Sequence, residues 1–597
     1  MKQFRYLRHI TALALSLSLL LISLAGTDAQ QRRPQASAAP PSNLPPGIAP
    51  DTVPSARPRL VLLIVVDQFR YDYLERFNDL FVTGGLRRLM QDGAFWTQAN
   101  YDHMPTYTAP GHATLMTGAW PAETGIIAND WPDLEKGRNI TSVEDEQARL
   151  LNGEPNEGAS SPRRLMASTL GDELRMATND RSKVIGVSIK DRSAILPAGR
   201  HANAAYWFST ISGRMVTSNY YFNQMPQWVT AFNDAKPADK FFGARWERLL
   251  PEPEYTRRAG ADDPVWENIG NVPGDTNKFP HVITGGANAA GREFYGALDY
   301  SPFSNDLLLS FAEQAITNER LGEDADTDVL TLSFSANDYV GHRFGPYSQE
   351  MMDITLRTDR KIEELLKFVD QRVGLRNTLV IFTADHGVAP SPEQSAAMGL
   401  PGTRIAGADV LRAMKNAISA RYNPKGQQPD PTSDYIQAFY NGNVYFNRVA
   451  LKRDGVNQEE LERIAGEASL TVPGMSRYFT RSQLMRRAIS PGDVIARRVL
   501  HGFYPTRSGD VIVLYEPFRY FETTIPVTHG SPYSYDTHVP LILMGTSFRA
   551  GRYLEAAAPS DIAPTLAAVL RVQAPSNAMG RVLTECIVQT GVAAGAR

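Results

Sequence analysis

Short runs of aliphatic and β-branched residues recur along the chain, with helical patterns between them. Five such runs predict strands, at residues 60–67, 183–189, 328–334, 378–383 and 539–544. Each is apolar at consecutive positions, which is typical of parallel strands covered on both faces. We therefore predict a doubly wound α/β fold, in which a mostly parallel sheet is flanked by helices.

Two segments outside these runs have a clear helix pattern. Residues 348–369 have apolar side chains at helical spacing behind Ser348, a candidate N-cap. Asp561 has the corresponding position before an apolar helical run at 562–570. Residues from about 395 to 527 differ, because strand-like segments with turn signals surround an acidic helix there. We predict that this stretch is an insertion forming a smaller subdomain over the functional site.

The first 58 residues predict an exported protein. A short basic region precedes an apolar run at residues 10–24, and small residues follow at 27–29. This is the pattern of a secretory signal peptide, which we place at residues 1–29. The run is short for a membrane anchor, so we expect no stable membrane insertion. Residues 30–58 are rich in Pro, Ala and Ser and predict a flexible linker.

Composition limits the candidate chemistry. The chain of 597 residues has 61 Lys and Arg against 64 Asp and Glu, a net charge of −3. Nucleic acid is therefore not expected as a dedicated partner. Cys586 is the one cysteine of the sequence, which excludes an internal disulfide and a multi-cysteine zinc site. Any metal must be held by carboxylates and imidazoles.

Three of the predicted strands end at, or lead into, acidic residues. Asp67 ends the first strand, Asp338 follows the third with His342 four residues later, and Asp385-His386 follows the fourth. Ligands of open α/β sheets bind at the carboxyl ends of strands, so these side chains are expected to converge. Bare carboxylates in that position would repel one another, and the interleaved histidines favour zinc as the compensating charge. Taken singly, each acid could equally form a turn or cap a helix.

The segment PTYTAPGHATLMTG supplies a candidate nucleophile. We expect Thr108 at the N-cap of a helix, where free backbone N–H groups favour an anion. Coordination to a metal would lower the pKa of its hydroxyl. Thr106 is the local rival, and Thr108 could also be a plain cap. His112 is expected as a packed, hydrogen-bonded histidine without a metal role.

Together these segments resemble the alkaline phosphatase superfamily, and more closely its Thr-nucleophile branch of PafA-like alkaline phosphatases, related to the nucleotide pyrophosphatase/phosphodiesterase family. The resemblance runs from residue 60 to the C-terminal region and makes residues 59–597 an alkaline-phosphatase-like catalytic domain. The segments that carry it are VVDQFRYDYL, PTYTAPGHATLMTG, GIIANDW, SIKDRSAI, SANDYVGHRFGP, TADHG and HGSPYSYDTHVPLILMG.

The resemblance implies a role for each matching residue. It assigns two Zn²⁺ ions, one held by Asp67, Asp385 and His386 and also bound by Thr108, the other by Asp338, His342 and His529. It further implies that Asn129, Lys190 and Arg192 bind phosphoryl oxygens. His538 lies in the same region as His529 and remains an alternative for the last ligand.

The resulting hypothesis is an alkaline phosphomonoesterase that acts on small phosphorylated substrates through a phosphothreonine intermediate. Lys190 and Arg192 match a dianionic monoester better than a diester. The alternatives are a phosphodiesterase or nucleotide pyrophosphatase on the same scaffold and, more distantly, a non-catalytic exported binding protein. Phosphonate hydrolases and phosphomutases are minor options. We expect a monomer, in the periplasm or secreted after cleavage of the signal peptide.

Overall fold

The structure is a computed structural model, and it describes residues 57–267, 276–522 and 525–588 of the chain. The predicted signal peptide and nearly all of the predicted linker lie outside the described residues. No helix in the described ranges has the length and apolar character needed to cross a bilayer.

The strands are labelled in chain order: β1 (Leu60–Val66), β2 (Ala94–Trp96), β3 (Asp130–Asp133), β4 (Arg138–Thr141), β5 (Leu150–Leu151), β6 (Val184–Ser188), β7 (Ala204–Ser209), β8 (Arg214–Ser218), β9 (Ala244–Trp246), β10 (His281–Ile283), β11 (Asp328–Phe334), β12 (Thr378–Thr383), β13 (Thr403–Ile405), β14 (Ile436–Tyr440), β15 (Asn443–Phe446), β16 (Met475–Thr480), β17 (Val511–Tyr515), β18 (Arg519–Phe521), β19 (Leu541–Met544) and β20 (Gly551–Tyr553).

The α-helices are labelled likewise: α1 (Asp72–Arg76), α2 (Leu86–Asp92), α3 (Thr108–Thr117), α4 (Pro121–Thr124), α5 (Leu170–Ala177), α6 (Asp191–Ala198), α7 (Gln227–Asp234), α8 (Glu252–Ala259), α9 (Arg292–Leu298), α10 (Phe303–Asn318), α11 (Ala336–Phe344), α12 (Gln349–Arg372), α13 (Pro392–Ala397), α14 (Gly407–Tyr422), α15 (Arg448–Arg453), α16 (Gln458–Ser469), α17 (Arg481–Met485), α18 (Val494–Gly502), α19 (Ser534–Thr537) and α20 (Ile562–Leu570).

A ten-stranded mixed sheet forms the centre of the fold, in the order β20-β2-β19-β12-β1-β11-β6-β7-β8-β5. The middle of this sheet is parallel, from β12 through β1, β11 and β6 to β7. Every residue of β1 and β11 is buried, as expected for strands covered by helices on both faces. The predicted α/β class, with helices flanking a large sheet, is confirmed.

One predicted strand runs in an unexpected direction. The run at 539–544 forms β19, which is antiparallel to both β12 and β2 rather than parallel. A strand buried on both faces is apolar throughout, whichever way it runs. Hydropathy therefore located the strand but contained no information about its direction.

The two predicted helices are present, with one difference in capping. The Ser348 side chain accepts a hydrogen bond from Met351 N–H at the start of α12. Asp561 is the N-cap residue of α20, as predicted, but its side chain makes no capping hydrogen bond to the helix. It accepts bonds from the Ala558 and Arg581 N–H groups instead and so closes the turn before α20.

A second, antiparallel sheet of four strands has the order β14-β15-β17-β16. Helices α14 and α16 pack together beside it, and its apolar core includes Val410, Met414, Leu461 and Val511. The strands and the acidic helix predicted within residues 395–527 are thus present, since α16 spans Gln458–Ser469.

Candidate active site

Three adjacent central strands deliver the acidic residues to one place. In the order β12-β1-β11, Asp385 follows β12, Asp67 follows β1, and Asp338 lies in the first turn of α11 just beyond β11. Because these strands are parallel, their carboxyl ends share one edge of the sheet. All three acids are buried there.

The histidines complete two groups of potential metal ligands. Asp338 Oδ1 lies 3.2 Å from His342 Nε2 and 3.5 Å from His529 Nε2. A second group joins Asp67, Asp338 and His386, with Asp67 Oδ1 3.5 Å from His386 Nε2. Within each group the ligand atoms lie within 4.8 Å of one another, so each could hold a metal ion.

Asp385 lies at the edge of the second group. Its Oδ2 atom is 3.3 Å from His386 Nε2 and 3.2 Å from His112 Nδ1. His112 is buried, and its Nδ1–H donates to the Thr108 carbonyl while its Nε2 lies 2.8 Å from Ser333 Oγ. The packed, hydrogen-bonded environment expected for His112 is present, and its contact with Asp385 is an addition.

The three histidines of the groups are oriented alike. Each Nδ1–H donates to a backbone carbonyl: His342 to Val527 at 2.7 Å, His386 to Gly387 at 3.0 Å, and His529 to Thr106 at 2.8 Å. A carbonyl can only accept, so in the neutral ring the proton is on Nδ1 and the Nε2 lone pair faces the carboxylates. A lone pair facing a carboxylate is unfavourable unless a cation lies between them. This is the arrangement of histidines that bind a metal.

The three carboxyl groups differ in how well the described residues compensate their charge. Burial opposes ionisation of Asp338 and Asp385, but neighbouring histidines, and for Asp338 also Lys190, outweigh it and hold the pKa of both below the usual value. Asp67 Oδ1 and Asp385 Oδ2 are buried without a hydrogen-bond partner. Burial, and next the charge of Asp385, raise the pKa of Asp67 well above its usual value. Burial likewise lowers the pKa of His386 to about 3, which keeps its imidazole neutral. The donor set of carboxylates and neutral imidazoles therefore fits a divalent metal.

The ammonium group of Lys190 contacts two of these carboxylates. Its Nζ lies 2.8 Å from Asp67 Oδ2 and 2.5 Å from Asp338 Oδ2, and the side chain is 1% exposed. Burial opposes the charge of Lys190, but the two carboxylates outweigh it and raise its pKa. The side chain of Arg192 is 25% exposed, and one of its guanidinium nitrogens lies 3.8 Å from Asp191 Oδ1. Lys190 thus bridges the two ligand groups, whereas Arg192 points to a more accessible place.

Thr108 lies beside His386 at the start of α3. Its Oγ1 is 3.4 Å from His386 Nε2, and its residue is 1% exposed. The predicted N-cap position is wrong by one residue. Tyr107, whose backbone is extended with φ −103° and ψ 163°, is the N-cap, and Thr108 is the first residue of the helix. The hydroxyl still lies at the helix terminus, where unpaired N–H groups favour an anion.

Asn129 and Thr106 hold the segments around Thr108. The Asn129 side-chain oxygen accepts a hydrogen bond from Ala109 N–H at 2.8 Å, in the first turn of α3. The Thr106 hydroxyl donates to the Ser531 carbonyl at 2.9 Å, and the Thr106 carbonyl accepts from His529. Thr106, the rival nucleophile, therefore connects the two loops and its hydroxyl is already engaged.

His538 lies away from both groups. Its Nε2–H donates to the Thr97 carbonyl at 2.9 Å, and its ring stacks on Tyr71 with centroids 4.3 Å apart. His529, by contrast, stacks on His386 with centroids 3.6 Å apart. Of the two candidates, His529 is the one that the structure brings to the acidic residues.

Gln68 lies within the candidate site, and the sequence patterns did not indicate it. Its N–H donates to Asp385 Oδ1 at 3.1 Å, and its side-chain amide donates to Asp338 Oδ1 at 2.6 Å. Its φ of 64° lies in the left-handed region, which turns the chain sharply after Asp67. The signal available in the sequence was only its position directly after a strand-terminal acid.

Comparison with known proteins is consistent with this geometry. Residues 61–464 match the family model described as type I phosphodiesterase / nucleotide pyrophosphatase. Alkaline phosphatase PhoV of Synechococcus elongatus is 34% identical over 97% of this chain and 100% of its own length. Alkaline phosphatase PafA of Elizabethkingia meningoseptica is 34% identical over 89% of this chain and 95% of its own.

Solved structures of PafA have the same fold. The wild-type crystal structure is similar with a TM-score of 0.82 at 33% identity, covering 89% of this chain and 99% of that one. A PafA variant in which a Thr, an Asn, a Lys and an Arg are replaced has a TM-score of 0.81 at the same identity and coverage. With a family model over most of its length and near-full-length relatives, the chain belongs to the type I phosphodiesterase / nucleotide pyrophosphatase family and, within it, to the PafA- and PhoV-like alkaline phosphatases.

Proposed function

We propose that this protein is a phosphate-ester hydrolase, an alkaline phosphatase that cleaves monoesters of small molecules through a phosphothreonine intermediate at Thr108. The observation that carries the proposal is the position of Thr108 Oγ1, 3.4 Å from His386 Nε2 and next to the Asp/His groups. A hydroxyl at a helix N-terminus beside a potential metal group combines a nucleophile with a site for its anionic product.

The metal content is proposed as two Zn²⁺ ions. Asp67, Asp385 and His386 would hold one ion together with Thr108, and Asp338, His342 and His529 the other. When bound, zinc would lower the pKa of the Thr108 hydroxyl and compensate negative charge on the attacking and leaving oxygens. Gln68 donates to Asp385 and Asp338 and would hold both carboxylates in place.

Phosphoryl transfer then proceeds in two displacement steps at phosphorus. The Thr108 hydroxyl gives up its proton to solvent and its Oγ1 bonds to phosphorus, while the bond from phosphorus to the ester oxygen breaks and the alcohol leaves with a proton. A water molecule then attacks phosphorus from the opposite direction, and the bond between Thr108 Oγ1 and phosphorus breaks. Phosphate is released and the threonine hydroxyl is restored.

Asn129, Lys190 and Arg192 are proposed to bind the non-bridging oxygens. The bond from Ala109 N–H fixes the Asn129 amide next to Thr108. The side chain of Arg192 is partly exposed at the N-terminus of α6 and can meet an incoming dianion. The Thr, Asn, Lys and Arg replaced in the PafA variant occur in the same order and with nearly the same spacing as Thr108, Asn129, Lys190 and Arg192, which supports treating them as a set.

Lys190 needs a rearrangement in this scheme. Its ammonium lies between Asp67 and Asp338, the carboxylates proposed as ligands. Cations bound by these carboxylates would compete with the ammonium for the same oxygens. We propose that the Lys190 ammonium then turns away from the carboxylates and towards a phosphoryl oxygen. Rotation about the several bonds of its long side chain allows this movement.

A phosphodiesterase activity is the second candidate, because the description of the matching family model includes it, although the near-full-length relatives are named alkaline phosphatases. Two cations beside the metal groups favour the dianion of a monoester over the single charge of a diester. Export to the periplasm or medium and an inserted subdomain at about 395–527 are further proposals, which the sequence pattern supports. A monomeric state is also proposed.

Replacing Thr108 tests the proposal directly. Thr108→Ala should abolish phosphate release from a simple aryl phosphate, while metal analysis by mass spectrometry still finds zinc in the purified protein. Thr108→Ser, the matched control, keeps a hydroxyl and should retain measurable turnover. Acid quenching of the wild type with ³²P-labelled substrate should trap label on Thr108. Wild-type turnover in Thr108→Ala would refute the nucleophile, and an active protein without transition metal would refute the metal mechanism.

A further inference from the structure

A cavity of about 240 Å³ opens beside the candidate active site, between the nucleophile segment and the second sheet. Its wall includes Tyr107, next to the nucleophile, and His529, a member of one ligand group. Strands β14, β15 and β17 of the second sheet contribute the opposite side. The cavity therefore lies next to the candidate site, because Tyr107 adjoins Thr108 and His529 belongs both to the cavity wall and to a ligand group.

The lining combines aromatic rings with polar groups, and its described residues include no Lys or Arg. The two charged ones among these described residues are Asp130 and Glu522. The rings that line it are Tyr107, Trp131, Tyr440, Tyr445, Tyr515 and Phe521. An uncharged, flat, apolar group fits such a wall, whereas an anionic group would meet two carboxylates and no compensating charge.

Several of these rings are held so that they present carbon atoms to the cavity. The Tyr440 hydroxyl donates to the Asp130 carboxylate, and the Tyr445 hydroxyl donates to the Arg507 carbonyl at 3.1 Å. The polar ends of both tyrosines are thus already satisfied within the protein. What remains for a ligand is the apolar part of each ring.

Tyr107 is fixed between the nucleophile and the ligand group. A Cβ atom at Gly530 would lie 2.5 Å from the Tyr107 ring, so the ring packs directly on the glycine backbone. The same ring meets His529 edge-on, with centroids 5.6 Å apart. A group bound in the cavity therefore contacts Tyr107 one residue from Thr108.

The direction of the reaction connects the cavity to the leaving alcohol. In-line displacement places the leaving oxygen on the side of phosphorus opposite Thr108 Oγ1. Thr108 lies beside His386, so the leaving oxygen falls on the side of the group that contains His529, which also lines the cavity. The organic part of the ester then extends from this oxygen into the ring of aromatic side chains.

We infer that this cavity is a binding subsite for the alcohol portion of the substrate, and that it selects monophosphates of uncharged aryl-bearing alcohols over those of small or anionic alcohols. The inference rests on the proposed function, because it assigns a substrate class to the same reaction. The features that set this class are six aromatic side chains around one cavity and the lack of Lys and Arg among its described lining residues. The Arg507 guanidinium nearby lies over the Trp131 ring and is not part of the lining.

The test compares esters whose leaving alcohols have similar acidity. Ethyl phosphate leaves the cavity empty, 2-cyclohexylethyl phosphate places an aliphatic ring in it, and 2-phenylethyl phosphate places an aromatic ring in it. The chemical step is almost the same for all three esters. We expect kcat/KM for the phenylethyl ester to exceed that for the ethyl ester at least about tenfold, from burial of the ring. It should also exceed that of the cyclohexyl ester, and a 4-carboxylate on the phenyl ring should remove most of the gain.

Tyr440 provides matched variants. Tyr440→Leu removes a ring and should lower the phenylethyl-to-ethyl ratio about three- to tenfold, whereas Tyr440→Phe keeps the ring, loses the bond to Asp130 and should keep the ratio. If a variant fails to fold, inhibition of the wild type is independent of it: 2-phenylethanol should inhibit ethyl phosphate hydrolysis competitively, at concentrations where ethanol does not.

The outcomes distinguish failure of the subsite from failure of the proposed function. Equal kcat/KM for the ethyl and phenylethyl esters, with turnover that still depends on Thr108, would overturn the subsite and leave the proposed function intact. Equal kcat/KM for the cyclohexylethyl and phenylethyl esters would overturn the selectivity for an aromatic ring. Equal kcat/KM for the phenylethyl ester and its 4-carboxylate would overturn the selectivity against a negative charge. Hydrolysis of none of these esters would overturn the proposed function together with the subsite.

Discussion

The imidazole rings of His386 and His529 stack with their centroids 3.6 Å apart and their planes inclined by 18°. One ring follows a strand of the central sheet, and the other comes from a loop more than 140 residues later in the chain. The Nδ1–H groups of both rings are bound to carbonyls, so both Nε2 lone pairs are available to cations. The stack places the two proposed ligand groups side by side and fixes their spacing.

Replacing His529 should therefore remove metal, whereas replacing His538 should not. His529→Ala leaves Asp338 and His342 with one ligand fewer, and we expect a lower zinc content and a loss of activity of at least about 100-fold. His538→Ala removes a ring that contacts Thr97 and Tyr71, so it should keep the zinc content of the wild type. Metal analysis of both variants decides, and loss of zinc in His538→Ala alone would reverse the assignment.

A second prediction concerns the charge of the substrate. Replacing Lys190 and Arg192 together by Ala removes the two cations proposed to bind the non-bridging oxygens. We expect kcat/KM to fall by about 100-fold or more for 4-nitrophenyl phosphate but by less than about tenfold for bis-4-nitrophenyl phosphate, because the diester has a single negative charge.

The two substrates share a leaving group, so the comparison isolates the phosphoryl charge. Each rate is measured with zinc at saturation, since Lys190 also pairs with Asp67 and Asp338 and its loss changes the charge around them. Equal losses on monoester and diester would contradict the selective recognition of a dianion.

The positions of the acidic residues could be predicted from the sequence better than their contacts. Strand-terminal Asp67 and Asp385 could be located because buried parallel strands are apolar at every position and their ends share one edge. The antiparallel direction of β19 could not, because a fully buried strand has the same pattern in either direction. The residues that position the acidic groups could not be predicted from the sequence either, because their contacts form only in the folded chain.

Gln68 illustrates this second limit. Its role depends on a left-handed φ of 64° that directs its N–H to Asp385 and its side chain to Asp338. Neither partner is near it in the sequence, and no residue pattern marks the bonds. The bridge from Lys190 to Asp67 and Asp338 is likewise a product of the folded sheet, 123 and 148 residues away along the chain.

Gly111 is predicted to be essential for placing the nucleophile. A Cβ atom at this position would lie 2.2 Å from the Asp385 carbonyl oxygen, so α3 packs directly on the chain after β12. Gly111→Ala should push the first turn of α3 away, lower the stability by about 1–3 kcal/mol and reduce turnover. Gly296→Ala in α9 is the matched control: nothing lies within 4 Å of its Cβ, and Ala favours a helix.

The melting temperature and kcat of both variants can be measured in parallel. Gly296→Ala should equal or slightly exceed the wild type in stability and keep its activity. A Gly111→Ala variant with wild-type stability and turnover would show that the contact between α3 and Asp385 can relax without moving Thr108.

The buried Asp536 predicts a pH dependence of stability near the site. Its Oδ2 accepts a hydrogen bond from Ser531 N–H at 2.8 Å, in the loop that follows His529, and its Oδ1 has no partner among the described residues. Burial raises the pKa of Asp536 from 3.8 to about 7. Because the folded-state pKa lies above the unfolded one, the stabilisation is complete below about pH 4 and is lost as the pH rises towards 7, by at most about 4 kcal/mol.

Asp536→Asn should remove this dependence, because the amide is neutral at every pH and its oxygen can still accept from Ser531. Between pH 5 and pH 8 we expect the wild type to lose more thermal stability than Asp536→Asn, both measured with zinc at saturation. The metal sites titrate in the same way in both proteins, so the difference between the two changes isolates Asp536. Parallel losses in the two proteins would mean that Asp536 is ionised throughout this range and that the loop after His529 is held by a carboxylate, not by a neutral acid.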